Sequence, residues 1–208
     1  MRALVAVLCL AAPLGIGAWH TPTVACCTAP WQARADEASA NTDAITFNAS
    51  DDGVHVEMNA LHAIFWRPQD TEDGQYEVAA QFTQNGPTSH PEAYGLFFGG
   101  KDLKGPNVDY VYFLIRQDGK YLVKRRQGSE TKTLVEWTAS PAIQPTNGGT
   151  NGENTLAVAV SASQVRFLVN GKDVTSLPRA DVPTSGIVGL RVNHRLDLDV
   201  RNFGVMKD

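Results

Sequence analysis

Cysteine is scarce, and its placement rules out cysteine chemistry in most of the chain. The only three, Cys9, Cys26 and Cys27, fall within the first 27 of 208 residues. The remainder has no thiol for a disulfide, a redox couple or a cysteine-based metal site. An excess of positive charge is also lacking. Eighteen Lys and Arg face 22 Asp and Glu, for a net charge of -4. That leaves no basic stripe of the kind nucleic acid requires, so no nucleic-acid partner is expected. Beyond the N-terminal stretch, no apolar 3.6-residue period is sustained over about ten residues. No repeat announces a propeller or solenoid. There is no GxSxG, Gly-rich phosphate loop or dinucleotide fingerprint. His55, His62, His90 and His194 show neither i, i+2 nor HExxH spacing, so no zinc site is expected.

The first apolar run reads as an export signal. Met1-Arg2 is a short positive start, and Ala3 to Ala18 carries no charge. The run is too short and too rich in small residues for a membrane span, and it fits a secretory h-region. Ala33-Arg34-Ala35 before Asp36 offers small residues where a signal peptidase reads. Residues 1–35 are therefore expected as signal and cleavage region, 36–43 as a flexible lead-in, and 44–208 as one domain. Thr23-Val24-Ala25 before Cys26 is a rival boundary. It loosely matches a lipobox, with Thr23 where Leu is usual, and would make Cys26 a lipid-bearing terminus. Both readings place the protein outside the cytoplasm, secreted or periplasmic, with no transmembrane helix in the mature chain.

About a dozen short strands follow, separated by turn signals, which argues an all-β sandwich or barrel. Val54, Val56 and Met58 alternate with His55 and Glu57. Tyr76, Val78, Ala80 and Phe82 alternate with Glu77, Ala79 and Gln81. Both have the period of a half-buried strand. Asn170-Gly171 marks a tight turn, and the polar loop Thr146 to Asn154 is the expected mobile segment. The centrepiece is Val108 to Gln127, two aromatic-rich runs around Asp118-Gly119. Taken as a two-residue turn, that dipeptide sets Arg116 opposite Tyr121 and Tyr112 opposite Arg125. One face then carries Val111, Phe113, Ile115 and Leu122, a core face. The other carries Tyr110, Tyr112, Leu114, Arg116, Tyr121, Val123 and Arg125, a mixture that suits a ligand surface.

Several segments line up with a known pattern. Ala93-Tyr94-Gly95-Leu96-Phe97-Phe98-Gly99 resembles the "aGlvF" strand of concanavalin A-like, laminin-G-like jelly rolls. Asp109 to Leu122 resembles the next hairpin. LVEWTASPAI at Leu134 to Ile143, Asn154 to Val158, and VRFLVNG at Val165 to Gly171 resemble the segments that follow. Gly186 to Leu190 and Asp199 to Val205 resemble the closing strands. The resemblance runs from about Tyr76 to Val205 and implies a two-sheet antiparallel jelly-roll sandwich. Domains of this kind include sugar binders, glucanases, 3-keto-disaccharide hydrolase-type proteins and adhesion modules, so fold does not settle function.

Glucanases of this fold carry an ExDxE run, which is absent here. The nearest analogue is Asp197-Leu198-Asp199, whose carboxylates share one strand face about 6.8 Å apart at Cα. The plainer reading puts Leu196, Leu198 and Val200 inside and leaves Asp197, Asp199 and Arg201 in solvent. Asp70, Glu72 and Asp73 offer oxygens to Ca²⁺ without the calcium-loop register, a surface acidic loop by default. His194, with Asn193 and Arg195, reads as a solvated turn or a ligand rim. Tyr110, Tyr112, Arg116, Tyr121, Arg125 and Trp137 combine ring faces with fork-like donors, which suit sugars. The expected role is non-catalytic recognition of a glycan or cell-envelope polysaccharide. A sugar-active hydrolase or lyase and a protein-binding envelope module are the alternatives.

Overall fold

The computed structural model describes residues 30–207, apart from 38, 60 and 147–150. The leader with Ala25 and Cys26, and the middle of the Thr146 to Asn154 loop, lie outside the described residues. The chain lays down β1 (Gln32–Ala35), β2 (Thr46–Ser50), β3 (Gly53–Glu57), β4 (Ala63–Glu72), β5 (Tyr76–Gln84), β6 (Ala93–Lys101) and β7 (Asp109–Arg116). It continues with β8 (Lys120–Gln127), β9 (Glu130–Ala139), β10 (Gly152–Val160), β11 (Gln164–Val169), β12 (Lys172–Pro178), β13 (Gly186–Val192) and β14 (Asp197–Met206). Two antiparallel seven-stranded sheets result, in orders β1-β4-β13-β6-β7-β8-β9 and β12-β11-β10-β5-β14-β3-β2. This is the all-β jelly-roll sandwich that the sequence predicts.

The alternation in β5 does what its period requires. Tyr76, Val78, Ala80, Phe82 and Gln84 are buried while the residues between them reach the opposite surface. β6 behaves differently, with Ala93 to Gly100 buried throughout. It is a central strand with apolar packing on both faces. Its inner face joins the main core with Tyr94, Leu96 and Phe98. Its outer face joins a second cluster with Trp66, Leu103, Tyr110, Tyr112 and Leu114. Gly189 lets β13 lie against β4: a Cβ there would sit 2.3 Å from the Phe65 carbonyl oxygen.

The hairpin register departs from the two-residue expectation. Arg116 pairs with Lys120, Leu114 with Leu122 and Tyr112 with Lys124, so three residues make the turn. Asn170-Gly171, with both φ angles positive (51° and 73°), makes the two-residue turn between Val169 and Lys172. In the β7–β8 turn Gly119 is left-handed at φ 79° and Asp118 is not. Asp118 instead receives both forks of Arg116, at 2.7 and 2.8 Å. The three-residue turn shifts the pairing by one, and a shift of one exchanges the faces of the whole second strand. Tyr121 and Val123 therefore join the main core with Val111, Phe113 and Ile115. Leu122 turns outward beside Leu114.

A short edge strand precedes the residues expected from the sequence to form the domain. Gln32 to Ala35, read there as the end of the leader, pairs with Trp66 to Ala63 of β4. Next to this edge strand lies a charged centre. Arg191 is 5 % exposed. It donates to both carboxylate oxygens of Asp36 at 2.6 Å and to the Tyr110 hydroxyl at 2.9 Å. Arg126 bonds the same carboxylate and donates to the Asp36 carbonyl at 2.9 Å. Burial pushes the Asp36 carboxyl up, but the hydrogen bonds and charges of the two arginines outweigh it and hold it below its ordinary value.

Candidate functional site

The residues picked out on the hairpin are mostly committed elsewhere. Tyr121 is in the main core, with its hydroxyl donating to the Val174 carbonyl at 2.8 Å. Tyr110 and Tyr112 are buried in the outer cluster, and the Arg191 guanidinium lies 5.1 Å from the Tyr112 ring. Burial pushes the Tyr112 hydroxyl up to about 12. Arg125 forms a two-pronged pair with Asp109 at 2.9 and 2.6 Å. Arg116 and Trp137 do meet, with the guanidinium 4.4 Å over the indole. Arg116 is likewise forked onto Asp118, and of the four aromatics in the set only Trp137 is half-buried rather than buried.

The polar residues of β3 and β14 make a better-formed site. Leu198 and Val200 are buried, as alternation predicts, and Asp197 and Asp199 emerge on the outer face of the second sheet. Register places Asp199 opposite His55. Asn85 donates to both carboxylates, 2.9 Å to Asp197 and 3.0 Å to Asp199. The Nδ1 of His55 lies 2.9 Å from the other Asp199 oxygen. Hydrogen bonds from Asn85, then His55, hold the Asp199 carboxyl below the ordinary carboxylate value. Asp197 and Asp199 remain 46 % and 44 % exposed, which leaves acceptor oxygens open to a ligand.

Asp199 and His55 line a shallow cleft of about 250 Å³. The cleft shares Ser50, Asp52 and Gly53 with a second of about 230 Å³ that reaches Trp31, Arg67 and Phe203. Local backbone explains this rim. Gly53, at φ 142°, brings the β2–β3 turn so close to β14 that a Cβ would lie 2.4 Å from the Val200 carbonyl oxygen. An irregularity after Arg201, with Asn202 left-handed at φ 54°, re-aims the side chains of β14 at this point. At the far end the Arg67 guanidinium sits 5.1 Å from the Trp31 ring and 5.4 Å from Phe203. The Asp199–His55 cleft is thus a shallow groove on the outer face of the second sheet, and the aromatic and cationic cluster lies at the core-side edge across the β2–β3 turn.

The acidic segment is not the surface loop expected, since Asp70 and Glu72 lie within β4 and Glu72 is buried, and its carboxylates do not form a shared cation site. Asp70 takes two hydrogen bonds from Arg67, at 2.7 and 3.2 Å. Glu72 is paired with Lys207 at 2.7 Å. Asp73 accepts the Gly74 N–H at 2.8 Å. Each carboxylate has its own partner. A different cluster, with no local sequence signature, forms where β4, β13 and β6 lie side by side. His62 precedes β4, His90 and Glu92 precede β6, and His194 follows β13. His62, Glu92 and His194 present donor atoms all within 4.8 Å of one another. Burial, with His62 and His90 adding repulsion, pushes the His194 imidazole down despite Glu92. The sequence signal for this convergence is the position of each residue at a strand boundary, which becomes informative only once strand order is known.

No family model matches the chain, and no curated protein matches it either. Solved structures do share its fold. A protein of unknown function with a galectin-like fold from Bacillus subtilis is 14% identical with a TM-score of 0.60, covering 84% of this chain and 88% of its own. The carbohydrate binding module CBM66 from Bacillus subtilis is 9% identical with a TM-score of 0.62, over 86% and 97%. The VIP36 exoplasmic/lumenal domain in its Ca²⁺/Man-bound form is 11% identical with a TM-score of 0.55, over 85% and 84%. These similarities establish a galectin-like jelly roll, consistent with the concanavalin A-like resemblance.

Proposed function

We propose that this protein is a non-catalytic glycan-recognition module acting outside the cytoplasm, with a cell-envelope polysaccharide as its ligand. The observation that carries the reading is the Asp197–Asp199 pair, held by Asn85 and His55 on the outer face, with Asp199 and His55 at the groove. Charged carboxylates flanked by amide and imidazole donors match the hydroxyl pattern of a sugar ring. The fold shared with a carbohydrate binding module and a mannose-bound domain supports the ligand class. The uncharged run Ala3 to Ala18 supports export. Glycoside hydrolysis requires one carboxyl held protonated as general acid. Asp199 is shifted the opposite way and does not fit that general-acid role.

A glycan array probed with the purified protein, with and without Ca²⁺, tests the proposal. Binding is expected to fall at least about tenfold in Asp199→Ala, the loss of a charge-assisted hydrogen bond. Binding that survives Asp199→Ala and disappears in Trp137→Ala would move the site to the Arg116–Trp137 stack and refute the groove. Turnover of a bound oligosaccharide would replace recognition with a sugar-active enzyme.

A further inference from the structure

Three distant segments bring imidazole and carboxylate donors to one point at the end of the first sheet. His90 Nε2 lies 2.6 Å from Glu92 Oε1. His194 Nε2 lies 3.1 Å from the same oxygen, and the two nitrogens are 3.1 Å apart. We propose that His90, Glu92 and His194 bind a single zinc-class divalent ion, with His62 orienting His194. The site shares no residue with the groove on the second sheet and does not depend on the glycan reading.

The geometry fits one ion. Three donor atoms at these separations lie on a circle of radius about 1.7 Å, smaller than the roughly 2.1 Å length of Zn–N and Zn–O bonds. An ion above the triangle is therefore within bonding distance of all three, and tetrahedral angles are reached by spreading the donors to about 3.4 Å. The remaining ring nitrogens are occupied in the way metal-bound imidazoles require. His194 Nδ1 is 2.8 Å from His62 Nε2, and His90 Nδ1 is 3.3 Å from Ser89 Oγ. Each contact leaves Nε2 pointing at the shared centre. Glu92 is 7 % exposed, and a carboxylate removed from water needs a counter-charge, which a divalent cation supplies.

The donor set also selects the ion. Two imidazoles and a carboxylate suit zinc and its neighbours, whereas calcium takes six to eight oxygens. Three protein donors leave a fourth position, and the His90 side chain, 46 % exposed, opens that position to solvent. Water or an oxygen donor from outside completes the coordination there, as in open zinc sites. The ion would also tie the start of β6 to the end of β13, with His62 linking the start of β4 to it through His194.

Equilibrium dialysis of the full-length protein against Zn²⁺, with metal quantified by mass spectrometry, tests this. Co²⁺ substitution read by visible absorption gives the coordination number. One equivalent of Zn²⁺ is expected, with a higher melting temperature on its addition. His90→Ala, an exposed position whose loss spares the fold, is expected to weaken Zn²⁺ at least about 100-fold. Glu92→Gln is expected to do the same, with circular dichroism as the folding control. His62→Ala is expected to weaken binding about 10–100-fold while leaving the Co²⁺ spectrum intact. His55→Ala, on the other sheet, is expected to change nothing. The proposal is overturned if the wild-type protein takes up no stoichiometric Zn²⁺, or if His90→Ala and Glu92→Gln bind as the wild type does. A changed Co²⁺ coordination number in His62→Ala would overturn its orienting role.

Discussion

Asp36→Ala is expected to be among the most damaging single substitutions near the surface of this protein. It leaves the Arg191 guanidinium, 5 % exposed, with the Tyr110 hydroxyl as a neutral partner, and it takes the carboxylate from Arg126 as well. Removing one member of a buried ion pair costs about 3–5 kcal/mol, mostly through the charge left behind. The Asp36 side chain is 32 % exposed, so water reaches its outer edge and the lower figure, about 3 kcal/mol, is expected. In a domain of this size that lowers Tm by about 6–12 °C. Urea denaturation of wild type, Asp36→Ala, Arg191→Met and the double variant measures it. Because Met removes the stranded charge, the double variant is expected to recover most of the loss. Asp36 also sets an acid limb. Its folded pKa lies below its unfolded value of about 3.9, so its contribution is present above about pH 4 and is lost as pH falls through the folded pKa. Asp36→Asn is expected to flatten that limb. A loss under about 1 kcal/mol in Asp36→Ala, or strict additivity in the double variant, would refute the buried-pair account.

The architecture was legible because it depends on local periods. The alternation at Tyr76 to Phe82 and at Leu196 to Val200 set both strands and both faces, and Asn170-Gly171 gave the turn it promised. The β7–β8 register was not legible, because Asp118-Gly119 supports a two- or a three-residue turn. Gln117 lies in the loop, where its side chain bonds Gln84 and Thr88 while Arg116 forks onto Asp118. That shift of one residue carried Tyr121 into the core, where no ligand reaches it. The site failed to show for another reason. Asp197 and Asp199 stood out in the sequence, but His55, from β3, and Asn85, from the loop after β5, give them direction. Trp31 was assigned to a leader. His62, Glu92 and His194 carry no local motif, since only the order β4-β13-β6 makes them neighbours.

Three further outcomes follow from the same contacts. Asn85→Ala removes the donor shared by Asp197 and Asp199, so the Asp199 carboxyl is expected to rise toward its ordinary value in a carbon-detected NMR titration. Gly53→Ala forces a Cβ against the Val200 carbonyl at positive φ and is expected to cost at least about 2 kcal/mol in urea. A chain beginning at Asp36 discards Trp31 and β1, and with them the pairing to β4 and the ring contacts to Phe47 and Phe203 at 5.4 Å. It also places a new ammonium beside Arg126 and Arg191. Lost burial, lost strand bonds and added like charge together predict a deficit of about 3–5 kcal/mol against a chain beginning at Pro30. Urea midpoints of the two chains decide it: a lower midpoint for the shorter one makes β1 part of the domain and moves any processing site upstream of Trp31, whereas equal midpoints leave Ala35 a tolerable boundary.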